Sequence, residues 1–81
     1  MDDTSIHQQI TDLVNAEHEL RERMQAGGID ADEERLQLQR LEHSLDQCWD
    51  LLRQRDARRS AGQDPDQARV RPVGEVENYR Q

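Results

Sequence analysis

The sequence predicts an all-α protein: an antiparallel two-helix hairpin with an extended C-terminal tail, expected to dimerise into a four-helix bundle. Three observations point there. An apolar stripe at helical spacing runs through the first third of the chain, a heptad seam runs through the middle, and a Gly-Gly break separates them.

In the first stripe Ile6, Ile10, Leu13, Val14, Leu20 and Met24 fall on one side of a helix expected at about 5–26. Ser5, with Gln8 three residues on, reads as a capping box, and Asp2 and Asp3 suit the positive end of the helix dipole. Gly27 and Gly28 end the pattern, and Asp30 followed by Glu33 opens the next helix, expected at about 31–60. There Leu38, Leu41, Leu45, Cys48 and Leu52 alternate in steps of three and four, the spacing of a coiled-coil seam.

In an antiparallel hairpin, facing residues keep a nearly constant index sum. Ile6 with Leu52, Ile10 with Cys48, Leu13 with Leu45 and Leu20 with Leu38 all share the sum 58, whose midpoint falls in the Gly-Gly-Ile-Asp loop. This register brings the acidic start of the first helix beside Arg53, Arg55, Arg58 and Arg59 at the end of the second. The hairpin therefore occupies 1–61. From Gly62 onward two Gly and two Pro rule out a long helix, so 62–81 reads as a tail or strap.

Composition narrows the function. With 81 residues, 36% of them charged and 2% aromatic, the chain has little bulky core material, and small helical scaffolds of this kind commonly need a partner. A net charge of −7 opposes nucleic acid and anionic membranes as partners. All eleven basic residues are Arg, the mark of a GC-rich, bacterial genome. The lone Cys48 permits no intrachain disulfide, the N-terminus lacks the pattern of a signal peptide, and no apolar run is long enough to span a membrane. A cytoplasmic setting is expected.

The candidate interaction residues are those the internal seam leaves over: Leu36, Trp49 and Leu51 on the second helix, and Val70, Pro72, Val73, Val76 and Tyr79 in the tail. The first three are expected to form a homodimer face, and the tail either to dock on the bundle, to remain disordered, or to bind an unidentified protein partner. Glu17, opposite Leu41, is a seam carboxylate that either pairs with Arg21 four residues on or, with His18 or His43, holds a metal or small ligand. No Glu has His three residues later, so the di-iron bundle pattern is absent and no cofactor is expected. His7, His18 and His43 read as solvated, and Cys48 as a small core residue. The Arg53 to Arg59 cluster lacks interleaved aromatics and is broken by Asp56, which weakens a nucleic-acid role. Without a catalytic constellation, the chain reads as a non-enzymatic interaction or scaffold module.

The block Leu45-Asp46-Gln47-Cys48-Trp49-Asp50-Leu51-Leu52-Arg53-Gln54-Arg55, followed by Asp64-Pro65-Asp66 and Arg71-Pro72, resembles the small actinobacterial family called domain of unknown function 2630. The opening MDDTSIHQQITDLVNAEHELRERM is similar to that family's first helix. The resemblance implies a helical, bacterial protein with no established activity. It directs attention to Trp49 and to the strap from Asp64 to Pro72.

Overall fold

A computed structural model describes residues 2–72. Helix α1 spans Asp3–Gln25 and helix α2 spans Ala31–Ser60, followed by a single 3-10 turn, Pro65–Gln67. The two helices pack along each other as a hairpin, and no strand occurs among the described residues. Tail residues Val73, Val76 and Tyr79 lie outside the described part of the chain.

Each of the three elements begins on an aspartate. The Asp2 carboxylate accepts from the Ser5 N–H at 2.8 Å, Asp30 from Glu33 at 2.9 Å, and Asp64 from Asp66 at 2.9 Å. Helix α1 thus starts earlier than a Ser5 cap would have it. Aspartate caps as well as serine does, and the earlier start adds Asp3 to the first turn. Both helices end in the same way. Gly27 (φ 74°) and Gly62 (φ 73°) take the left-handed conformation, and the next N–H in each case reaches back to a carbonyl of the last turn, Gly28 to Arg23 and Gln63 to Arg58.

The core is one cluster at the open end of the hairpin: Ile6, Ile10, Cys48, Leu51 and Leu52, with Leu13, Leu45 and Ala68 packed against it. These are residues from both ends of the seam pairings proposed from the index sum, and Arg55 meets Asp3 in the same register one turn further out. Toward the loop, packing thins. Leu20 is buried, Leu38 and Leu41 are half-buried, and Met24 and Leu36 are exposed.

One expectation is corrected here. Leu51, assigned to the surface left over by the seam, is only 8% exposed. After Gly62 the chain turns back along α2, and Ala68 packs on the cluster that contains Leu51. The strap supplies the cover that a second molecule was expected to provide.

Candidate functional site

The strap is held by polar side chains on one stripe of α2. Gln47 and Gln54, two turns apart, grip its backbone: Gln54 donates to the Arg69 carbonyl (2.7 Å) and accepts from the Arg69 N–H (3.3 Å), while Gln47 donates to the Arg71 carbonyl (3.1 Å). Between them lies Asp50, which is completely buried. It is bridged by two nitrogens of the Arg71 guanidinium, Nε at 2.9 Å and Nη2, and Gln54 also donates to it at 2.8 Å. The Arg71 contact holds the Asp50 carboxyl below the usual carboxylate range, in spite of burial.

Arg55, 5% exposed, ties three segments together. Its guanidinium donates to Asp3 on α1, to Asp66 at 2.9 Å and to the Pro65 carbonyl at 3.2 Å. Arg59 also reaches Asp3, at 2.5 Å, and Asp56 at 2.6 Å. The Arg55 hydrogen bond lowers the Asp3 pKa, and Asp3 in turn raises that of Arg55. The arginine cluster is therefore engaged within the chain: Arg58 leans on Gln63 and Gln67 at its periphery. Sequence reasoning missed Asp50, Arg55 and Arg71 as a set. The available signal was the seam itself, whose spacing from Cys48 and Leu52 continues to Arg55 and Arg59, with Asp3 facing Arg55 at the same index sum.

The remaining candidates are distributed over separate surfaces. Trp49 is 48% exposed and meets the His7 ring edge-on at 6.4 Å between centroids. A cleft of about 460 Å³ beside it is lined by Asp3, His7, Leu52, Arg53 and Asp56, and one of about 400 Å³ on its other flank by Glu42, Leu45 and Asp46. Leu36 is exposed, but at 100° per residue it lies about 140° around α2 from Trp49, on the stripe the strap follows. The two do not share one flat face. Val70 (61% exposed) and Pro72 sit on the outer surface of the strap.

Glu17 accepts from Arg21 at 3.0 Å, and His18 pairs with Glu22 at 3.5 Å, each within its own helix. Among the described residues, no three His, Cys, Asp or Glu side chains are grouped as metal ligands require. Cys48 is buried, and burial pushes its thiol pKa up, away from the reactive thiolate. No described helix is long and apolar enough to cross a membrane.

Comparison with known proteins places the chain in a family. The family described as "Protein of unknown function (DUF2630)" matches residues 2–81, and the chain belongs to it. Uncharacterised proteins of Mycobacterium bovis and of Mycobacterium tuberculosis strains CDC 1551 and H37Rv are each 56% identical over 70 residues, covering 86% of this chain and 80% of the relative. No solved structure matches the chain.

Proposed function

We propose that this member of the family is a non-enzymatic protein–protein interaction module, that its contact surface centres on Trp49, and that its first partner is a second copy of the chain. One observation carries the reading. The largest apolar side chain in the protein is held half out of the surface, on the side of the hairpin away from the strap, against His7 and beside a cleft floored by core Leu52. Exposed tryptophans next to clefts are the residues that anchor interfaces, because desolvating an indole yields a large free-energy gain from one side chain. Val14, 51% exposed, extends the apolar margin of α1 on the same side. In a two-fold arrangement each Trp49 enters the cleft beside the other, giving four helices from two hairpins. A cytoplasmic setting goes with this reading and is supported by the single cysteine.

Sedimentation at several concentrations tests it. Wild-type protein is expected to associate in the micromolar range and Trp49→Ala to remain monomeric with its helix content intact. A wild-type chain that stays monomeric into the high micromolar range removes self-association, and the Trp49 surface then belongs to a different protein.

A further inference from the structure

Trp49 stands between two unlike halves of its own helix face. Glu42, Leu45 and Asp46 line the cleft on one flank of the indole, and Leu52, Arg53 and Asp56 of α2 line the cleft on the other. Steps of one, three and four residues separate them, so all share one side of the helix. The flank toward the hairpin loop carries two carboxylates, Glu42 and Asp46. The other flank is compensated. Arg59 holds both Asp56, at 2.6 Å, and Asp3, at 2.5 Å, and Arg53 is the cation in the cleft lining. The face is therefore apolar at its centre, from Leu45, Trp49 and Leu52, and electrically polarised along the helix axis.

This polarity decides how a second copy sits, given self-association through Trp49 as proposed above. In a parallel pair of α2 helices each residue meets its own counterpart, so Glu42, Asp46 and Arg53 are all set against like charges, which repel. In an antiparallel pair facing residues keep a constant index sum. Seating each indole over the partner's Leu52 gives a sum of 101. Arg53 then comes within two residues of the level of the partner's Trp49 and the partner's Asp46, and Glu42 comes level with the partner's Arg59. The like-charge approach in this register, Asp56 to the partner's Asp46, falls where Arg59 already neutralises Asp56.

We infer that the second copy docks antiparallel, α2 against α2 across a two-fold axis, and that Arg53 of each copy completes the other's site by lying on Trp49 and pairing with Asp46. A guanidinium is suited to both tasks, since its flat face stacks on an indole while its edge donates to a carboxylate. Arg53 and Asp46 also interact within their own chain, so the contact across the axis adds a partner to each. Asp46 is half-buried before association, and covering it further strengthens its attraction to a cation brought alongside. The two-fold axis makes the contact twice.

Charge reversal in the full chain tests the register. Arg53→Glu alone, or Asp46→Arg alone, sets like charges together at both contacts, and each is expected to weaken association in sedimentation by roughly tenfold or more. An equimolar mixture of the two variants, and a chain carrying both changes, are expected to regain affinity because opposite charges then meet at every contact. A wild-type chain that stays monomeric into the high micromolar range overturns self-association through Trp49 and this docking with it. Association that Trp49→Ala abolishes, but that the two charge variants leave unchanged or weaken without recovery in the mixture, overturns the antiparallel register alone. A second measurement leaves Arg53 and Asp46 in place: nitroxides on Glu42→Cys in a Cys48→Ala background, with the distance between the two labels read by pulsed electron resonance. The antiparallel register separates them by about 17 residues of helix, about 25 Å along the axis. Labels found side by side, as a parallel pair would place them, overturn the inference without any change at the charged pair.

Discussion

The two halves of the hairpin are built on the same helical periodicity yet are held together differently. At the open end, Ile6, Ile10, Cys48, Leu51 and Leu52 form a closed cluster under Ala68, ringed by Asp3, Asp50, Arg55, Asp66 and Arg71. At the loop end Leu20 is buried, Leu38 and Leu41 are half covered, and Leu36 and Met24 face solvent. A heptad pattern thus places apolar side chains on a face without enclosing them. Enclosure comes from a third segment, and in a two-helix protein its position decides where stability resides.

The sharpest way to break the comparison is to remove equal amounts of core from each half. Ile6→Ala, at a fully buried site, is expected to cost about 2–5 kcal/mol, enough to unfold much of a chain this small. Leu38→Ala, at a half-buried site, is expected to cost clearly less. Urea titrations followed by circular dichroism measure both. Equal losses would show that the loop half is as well packed as the open end.

Removing the clamp on the strap comes next. Arg71→Ala strips the buried Asp50 of its guanidinium and is expected to cost about 1–3 kcal/mol, with faster hydrogen exchange at the Arg69 amide. That amide is bonded only to the Gln54 side chain, so its exchange reports strap release. Leu51, uncovered at the same time, contributes to the loss.

The same contacts set a pH dependence. Asp3 and Asp50 both have folded-state pKa values below the ordinary value, held down by Arg55 and Arg71 respectively. Their contribution is therefore present above the ordinary carboxylate range and is lost as the pH falls through the folded-state values. Thermal melts between pH 7 and pH 2 are expected to show this decline, and Asp50→Asn to flatten part of it at the cost of lower stability at neutral pH.

The smallest effect concerns the two glycine termini. Gly27→Ala and Gly62→Ala force a left-handed residue in each case, for about 1–2 kcal/mol. The local penalty is expected to be alike, but only Gly62→Ala should also loosen the strap that it aims back along α2, which the Arg69 amide exchange would reveal. Identical exchange in the two variants would show that Gly62 merely ends its helix.

Much of this was written in the sequence. The alternating spacing of Leu38, Leu41, Leu45, Cys48 and Leu52, the glycines at 27 and 28 and the shared index sum are consequences of helix geometry, and geometry is local and periodic. The strap is neither. Its attachment depends on Gln47, Asp50 and Gln54 meeting Arg69 and Arg71 across a turn, and polar residues on an exposed-looking stripe are indistinguishable by pattern from a solvated face. For that reason Leu51 read as partnerless and Asp50 was not singled out. Trp49 was legible as a margin residue because its position on the wheel alone keeps it outside the seam.

Arg55 gives the molecule a property that neither helix nor strap has alone. One guanidinium is shared by the first turn of α1, the last turns of α2 and the 3-10 turn, segments 52 and 11 residues away from it in sequence. Detaching either neighbour leaves a nearly buried cation short of a counter-charge, so each attachment raises the cost of losing the other. The expected outcome is cooperativity in a chain whose simple topology would otherwise allow it to fray in stages. Helix signal and strap exchange should then be lost in a single transition, and in Arg55→Met the two should separate.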